Sequence, residues 1–183
     1  MVALETPLIE ENWQAPDFEL KGTDGKTYTL DSAKGENGLL VMFICNHCPY
    51  VKAIIDKIIR DCNELKEQGI NSIAIMSNDT DDYPEDSFEN MKKLSEELQF
   101  PFPYAIDETQ EIAKKYGAVC TPDFFGFNRD LELQYRGRLD SSGMNNNPSA
   151  ERDLFNAMMQ IGQLDKGPRI QHPSIGCSIK WKE

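Results

Sequence analysis

"GLLVMFICNHCPYVK", residues 38–52, joins an uninterrupted apolar run to two cysteines and a proline. A short apolar run without alternation is typical of a strand that is buried on both faces of a sheet, as in α/β proteins. After the cysteines, apolar residues recur at steps of four and three from Val51 to Leu65, with charged residues between them. This spacing predicts an amphipathic helix that ends near Gly69. The cysteines are therefore predicted at a strand-to-helix junction.

The rest of the chain continues the alternation of strands and helices. "INSIAIMSND", residues 70–79, predicts a second buried strand, so the order strand, helix, strand favours a parallel right-handed crossover. Upstream, the Asp24-Gly25 pair lies between two short alternating runs, which is the signature of a β-hairpin. The other predicted elements are helices within residues 84–100, 103–117 and 148–162 and an antiparallel strand pair over residues 122–139 that turns at residues 128–130.

Length and charge limit the possible classes of protein. A chain of 183 residues with 39% hydrophobic content is expected to form one domain over residues 1–183, with an irregular C-terminal tail from about residue 163. Nineteen basic and thirty-one acidic residues give a formal charge of −12. This charge repels phosphate backbones and anionic lipid, so neither nucleic acid nor a membrane is an expected partner.

The termini and the cysteine count point to a reducing compartment. The longest apolar stretch is too short to span a bilayer, and the N-terminus is acidic where a signal peptide has a basic start. We therefore expect a cytoplasmic protein. Five cysteines without an even ladder of spacings do not suggest a disulfide scaffold. Any disulfide is expected to be transient and catalytic.

The pair Cys45 and Cys48 is the candidate catalytic site. Near a helix N-terminus, unpaired N–H groups and the helix dipole lower a thiol pKa from roughly 8.5 to between about 3.5 and 7.5. We expect Cys45 near the N-cap, as the more exposed and nucleophilic thiol, and Cys48 about one turn into the helix. His47 lies between them, and its cationic form would favour the thiolate over the disulfide, which predicts a more oxidising couple.

Other readings of the polar and sulfur-containing residues are less specific. The pair could be two buried structural thiols or half of a zinc site, but no second CxxC and no paired histidines supply further ligands, so no metal is expected. Cys62 falls on the apolar stripe of its helix, and Cys120 is also expected in the core. His172 is expected at the surface. The acidic run "NDTDDYPEDS", residues 78–87, lacks the spacing of a calcium loop and is expected to be a solvated loop with a helix cap.

Two motifs carry a resemblance to a known family. "CNHC", residues 45–48, and "CTPD", residues 120–123, resemble the thioredoxin-fold redoxins. "APDFEL", residues 15–20, and the segment from "MSND" to "YGAVCTPD", residues 76–123, resemble more specifically the alkyl hydroperoxide reductase and thiol-specific antioxidant (AhpC/TSA) branch and its TlpA-like relatives. The similarity runs from about Trp13 to the last helix.

This resemblance implies both a fold and a substrate groove. The fold is a three-layer α/β thioredoxin-like domain with a central mixed sheet, flanking helices and an N-terminal hairpin extension. The implied groove is formed by Thr121 and Pro122, joined by a cis peptide bond, and it faces the dithiol and aligns the incoming sulfur.

The chain departs from the family at two points. A peroxiredoxin carries Pro-x-x-x-Thr/Ser-x-x-Cys, whereas Cys45 stands three residues before Cys48 and Met42 three residues before Cys45. Neither cysteine has the hydroxyl partner that peroxide activation uses. Thioredoxin has a tryptophan before its first cysteine, whereas this chain has Ile44, so the partner surface is expected to differ.

The predicted function is thiol-disulfide oxidoreduction, in which Cys45 attacks a disulfide and Cys48 resolves the mixed disulfide. The expected partners are protein or small-molecule disulfides and thiols, together with a reducing dithiol protein, and no organic cofactor is needed. One alternative is a peroxiredoxin-like thiol peroxidase with an antioxidant role. The other is a copper carrier of the Sco type, although those domains have three residues between the cysteines and a distant histidine, for which this chain offers only His172.

Cys177 is a candidate third redox thiol. It lies in "PSIGCSIKW", residues 173–181, where Ile175, Ile179 and Trp181 alternate and could dock the tail onto the domain. Relatives of this redoxin branch end in a similar Gly-Cys-x-Ile-Lys-Trp segment. Bridging requires Cα atoms within about 7 Å. The alternative is an inert thiol buried under Trp181.

Overall fold

The computed structural model describes residues 2–7, 9–10 and 12–183, which form two β-sheets and the helices around them. The strands are β1 Ala3–Glu5, β2 Glu19–Gly22, β3 Thr27–Thr29, β4 Gly38–Phe43, β5 Ile70–Met76, β6 Tyr104–Ile106, β7 Cys120–Thr121, β8 Asp123–Phe127, β9 Leu133–Arg136 and β10 Ile175–Ser178. The helices are α1 Leu30–Ala33, α2 Pro49–Lys52, α3 Ile55–Glu67, α4 Phe88–Glu97, α5 Glu111–Tyr116 and α6 Asp153–Leu164, with 3₁₀ turns at Pro84–Asp86 and Gly143–Asn145. No helix in the described ranges is both long and apolar enough to cross a membrane.

The larger sheet has seven strands in the order β3-β2-β6-β5-β4-β8-β9. Every residue of β4 is buried, and β4 pairs in parallel with β5 and antiparallel with β8. Alternate β4 side chains enter two apolar clusters, with Leu40 on the side of α3 and α6 and Leu39 on the side of α1 and α5. The predicted three-layer architecture and parallel crossover are confirmed.

Both predicted antiparallel pairs are present. β2 and β3 form the hairpin, and Gly25 occupies its turn with φ of +83°, in the left-handed region that glycine tolerates. β8 and β9 form the second pair, connected through the turn at residues 128–130.

The helix after the cysteines is divided, contrary to prediction. α2 ends at Lys52 and α3 begins at Ile55, with Ile54 at φ −124° and ψ 4° between them. At its other end α2 begins at Pro49, so Cys48 is its N-cap, and Cys45 lies three residues earlier in the connecting turn. The expected placement of Cys45 at the cap and Cys48 one turn inside is therefore wrong.

The C-terminal tail is not simply irregular, so the expectation for residues 163–183 is corrected. α6 continues to Leu164, and β10 forms the central strand of the smaller sheet, between β1 and β7. Cys177 is aligned with Ala3 on one side and Thr121 on the other. This segment forms a strand because it pairs with β1 and β7, which come from distant parts of the sequence.

Candidate active site

The two cysteines lie at the C-terminal end of β4, in the turn that leads to α2. Hydrogen bonds fix this turn through Asn46, whose backbone N–H donates to Asp86 (2.8 Å) and whose side-chain oxygen accepts from the Tyr104 hydroxyl (2.8 Å). Cys45 is 1% exposed and Cys48 is 0% exposed. Both thiols are therefore buried, and the expectation that Cys45 is the more exposed of the two finds no support in this difference.

Thr121 and Pro122 face the dithiol. Their peptide bond is cis, as the resemblance implies. The Thr121 hydroxyl lies 3.5 Å from Cys45 Sγ, and the Thr121 carbonyl oxygen lies 3.2 Å from Cys48 Sγ. Pro122 also lines a cavity of about 400 Å³. Apolar side chains of Tyr50, Ile54, Leu139, Met144 and Ile175 contribute to that cavity.

Cys177 belongs to the same cluster of sulfurs. Its Sγ lies 2.6 Å from Cys48 Sγ, although 129 positions separate the two residues. Cys177 itself is buried, whereas Trp181 is 41% exposed and has the Lys114 ammonium 5.6 Å from its ring centroid. Burial beside Cys48 favours a role in the dithiol site, and the alternative of an inert thiol under Trp181 stays a prediction.

The three thiols have very different proton affinities. The hydrogen bond with Cys48, then burial and the Asp86 carboxylate, raise the pKa of Cys45 well above its ordinary value. The hydrogen bond from Cys45 and the contact with Cys177 outweigh burial and lower the pKa of Cys48 to about 4. Burial and the neighbouring Cys48 raise the pKa of Cys177 to about 12. These shifts favour ionisation of Cys48 over that of Cys45 or Cys177.

A buried carboxylate beside Cys45 is the site residue that sequence reasoning missed. Asp86 is fully buried, accepts from the Asn78 side chain (3.0 Å) and lies 2.5 Å from His47 Nδ1. The His47 ring stacks on Tyr83, with centroids 5.9 Å apart. Residues 78–87 are expected to form a solvated loop with Asp86 or Ser87 as the helix cap, and the burial of Asp86 contradicts the solvated loop for this residue. The following residue, Ser87, caps α4 as expected.

Three groups at this site could hold a metal ion. The ligand atoms of Cys45, His47 and Asp86 all lie within 4.8 Å of one another. A thiolate, an imidazole and a carboxylate form a donor set suited to zinc or copper. His172, the histidine considered for a copper carrier, is exposed, and its carbonyl accepts from the Arg138 N–H instead. Any metal chemistry would therefore depend on His47.

The remaining cysteines are buried in the positions expected of core residues. Cys62 lies on the buried face of α3, in the apolar cluster between α3 and the sheet, and burial raises its pKa to about 12. Cys120 Sγ lies 3.5 Å from the Pro122 carbonyl oxygen, and burial raises its pKa as well. Neither thiol is activated.

The sequence and the fold are both similar to those of known proteins. Residues 12–136 match the AhpC/TSA family. The chain belongs to that family. It is 29% identical over 129 residues to the thiol-disulfide oxidoreductase ResA of Bacillus thuringiensis subsp. konkukian (strain 97-27), and the match covers 67% of this chain and 66% of ResA. The match thus spans slightly less than two thirds of that relative.

Solved structures place this AhpC/TSA member in the thioredoxin-like fold. The thioredoxin domain of a thiol-disulfide oxidoreductase from Bacteroides vulgatus superposes with a TM-score of 0.59 at 17% identity, covering 70% of this chain and 89% of that one. An uncharacterised conserved protein from Geobacillus kaustophilus is much more similar, with a TM-score of 0.94, 46% identity, and coverage of 100% of this chain and 97% of that one.

Proposed function

We propose that this protein is a thiol-disulfide oxidoreductase whose working pair is Cys45 and Cys48. The observation that carries the proposal is the position of both sulfurs against Thr121, together with the hydrogen bond from Cys45 that lowers the pKa of Cys48. Thiol exchange requires a thiolate, and a pKa of about 4 keeps Cys48 ionised at neutral pH. Family membership and the ResA relatives support the same chemistry.

In the proposed reaction Cys45 forms the bond to the substrate. Its proton passes to the Cys48 thiolate, to which Cys45 is hydrogen-bonded, and from there to the substrate sulfur that leaves. The Cys45 thiolate attacks a substrate disulfide, and one substrate sulfur leaves as a thiol. The Cys48 thiolate then attacks Cys45 Sγ and releases the second substrate thiol. The substrate gains two electrons and the enzyme is left with a Cys45–Cys48 disulfide.

The substrate is proposed to lie beside Thr121 and Pro122. The apolar cavity next to Pro122 can accept a side chain of a peptide disulfide. The proposed partners are protein or small-molecule disulfides, with a dithiol protein as the reductant, in the cytoplasm. No organic cofactor takes part in this scheme.

One observation supports a thiol peroxidase as the second candidate. The Thr121 hydroxyl, 3.5 Å from Cys45 Sγ, supplies from another strand the hydroxyl that is missing three residues before the cysteine. In that reaction Cys45 would reduce hydrogen peroxide, forming a sulfenic acid and water, and Cys48 would condense with the sulfenic acid to give the disulfide and a second water.

A side-by-side rate measurement tests both candidates. The reduced protein is mixed with a protein disulfide or with hydrogen peroxide, and the Cys45→Ser, Cys48→Ser and Cys62→Ala variants are compared. We expect rapid oxidation by the disulfide, loss of turnover in Cys45→Ser, and a trapped mixed disulfide in Cys48→Ser. Cys62→Ala is the control for removal of a buried thiol. Faster oxidation by peroxide would favour the peroxidase, and no reaction with either would contradict both.

A further inference from the structure

The C-terminal strand occupies the edge of β7 where an incoming disulfide is proposed to lie. β10 pairs antiparallel with β7, and Cys177 is aligned with Thr121. We propose that β10 is an internal substrate, which presents Cys177 to Cys48 so that the oxidised protein passes to a Cys48–Cys177 disulfide. This inference rests on the proposed thiol-disulfide function and adds a third thiol to it.

The position of the sulfur atoms supports this exchange. The Sγ atoms of Cys48 and Cys177 are 2.6 Å apart, which is only about half an ångström longer than a disulfide bond. Both side chains are buried, so water and external thiols are kept away from the pair. Cys48 is also hydrogen-bonded to Cys45, and it is therefore the sulfur that both other thiols can reach.

Gly176 allows β10 to approach this closely. A methyl group at residue 176 would clash with the carbonyl group of Thr121 and would lie 3.0 Å from the Pro122 nitrogen. The absence of a side chain at Gly176 thus lets the backbone of β10 lie against the Thr121–Pro122 segment. The same approach aligns the next residue, Cys177, with Thr121.

Hydrogen bonds on both sides of Cys177 hold the strand in place. The Ser174 hydroxyl donates to the Pro122 carbonyl (2.8 Å), and the Ile179 N–H donates to the Val119 carbonyl (3.2 Å). The Lys180 N–H donates to the Asn78 side chain (2.9 Å). The ends of β10 are therefore fixed to the elements around the dithiol, and Cys177 is presented at a defined position.

The exchange itself requires no external oxidant. Cys177 loses its proton and attacks Cys48 Sγ of the Cys45–Cys48 disulfide, the Cys45–Cys48 bond breaks, and Cys45 leaves as a thiolate that takes up a proton. One disulfide replaces another, so the number of electrons on the protein is unchanged. The Cys48 thiolate contributes to the raised pKa of Cys177 only in the reduced protein, because Cys48 carries no charge within a disulfide. Oxidation of the dithiol thus makes Cys177 more acidic.

Disulfide mapping tests the inference. Trypsin leaves Cys45 and Cys48 together in the peptide of residues 35–52 and Cys177 in the peptide of residues 170–180. After oxidation by a protein disulfide, rapid acid quench and alkylation, we expect the two peptides to be cross-linked in the wild type and in Cys45→Ser treated with a small disulfide. The cross-link should be lost in Cys177→Ser and reduced at least several-fold in Gly176→Ala, which leaves all cysteines in place. Cys62→Ala should retain it.

The outcomes separate this inference from the proposed function. A wild-type protein that forms only the disulfide within residues 35–52, and still reduces external disulfides, overturns the role of Cys177 and leaves the proposed function standing. A protein that forms neither disulfide overturns the proposed function. Circular dichroism of Gly176→Ala shows whether the fold is retained, and Cys177→Ala provides a second variant without the thiol.

Discussion

At the scale of single residues, the position of Cys48 between the sulfurs of Cys45 and Cys177 determines which thiol ionises most readily. Cys48 is hydrogen-bonded to both other thiols, whereas Cys45 is next to the buried carboxylate of Asp86. A thiolate is favoured by donors and disfavoured by a nearby negative charge. The cluster is therefore expected to hold one thiolate at neutral pH, on Cys48.

A pH titration of the reduced protein checks this assignment. Since the pKa of Cys48 is lowered to about 4, its thiolate absorbance in the ultraviolet should appear as the pH rises through about 4 and disappear below it. An unperturbed thiol would titrate near 8.5. Cys48→Ser should lose this low transition and Cys62→Ala should keep it. A first transition near the ordinary thiol value in the wild type would contradict the assignment.

The effect of His47 is expected to appear in the reduction potential. Its Nδ1 lies 2.5 Å from Asp86, so a cationic ring offsets the carboxylate beside Cys45 and favours the reduced form. His47→Gln should make the dithiol more reducing by tens of millivolts, where 30 mV corresponds to about 1.4 kcal/mol. The potential is measured by equilibration with glutathione. Adding Asp86→Asn should move it back, and an unchanged potential in His47→Gln would leave the histidine without a tuning role.

The sequence could predict the thiols of this site but not its carboxylate. The CxxC spacing and the preceding apolar strand locate Cys45 and Cys48, because a strand-to-helix junction is a local pattern. Asp86 is one of several acidic residues in residues 78–87, and its burial depends on contacts with Asn46 and Asn78. Nothing in the local sequence separates it from exposed Asp81.

At the scale of elements, a buried ion pair fixes β8 against β9 next to the proposed groove. Arg136 donates to both carboxylate oxygens of Asp123 and to the Gly117 carbonyl, and Asp123 is fully buried. Arg136→Met should cost about 3–5 kcal/mol of unfolding free energy, because it leaves a buried carboxylate without its partner. Urea denaturation measures this loss.

An exposed ion pair provides the matched control. Arg129 and Asp165 are paired at 2.9 Å, but their side chains are 45% and 44% exposed. Arg129→Ala should cost at most about 1 kcal/mol. If Arg136→Met cost no more than Arg129→Ala, the ion pair in the groove wall would not be a structural requirement.

Periodicity predicts which elements exist better than it predicts where they break. The apolar stripe from Val51 to Leu65 is continuous, and neither glycine nor proline marks the interruption at Ala53 and Ile54. The cause of the interruption lies in tertiary packing, since Ile54 is buried in the apolar cluster between the sheet and α6.

At the scale of the whole molecule, the smaller sheet combines segments that lie far apart in the sequence. β1 comes from the N-terminus, β7 from the middle and β10 from the C-terminus, and each strand is only two to four residues long. Such short strands carry little periodic signal. The pairing also depends on the edge that β7 offers once the larger sheet has formed, which is why the sequence predicted an irregular tail.

This assembly predicts that β10 controls access to the dithiol. Ile179 is buried in the apolar cluster on the α1 and α5 side of the sheet, so Ile179→Ala removes apolar contacts that hold the strand, a change that costs about 2–5 kcal/mol in protein cores. Local opening of β10 should then be more frequent, and the amides of β10 should exchange hydrogen faster. Reaction of the reduced dithiol with a small disulfide should accelerate several-fold.

The control for this prediction lies in the same C-terminal segment. Ile170 is 78% exposed, so Ile170→Ala makes the same chemical change without removing buried contacts, and it should leave the reaction rate near that of the wild type. If Ile179→Ala accelerated amide exchange in β10 without accelerating the reaction of the dithiol, β10 would stabilise the fold but would not control access to the dithiol. An increase in both, in the same proportion, would show that small disulfides reach Cys45 and Cys48 through the opening of β10.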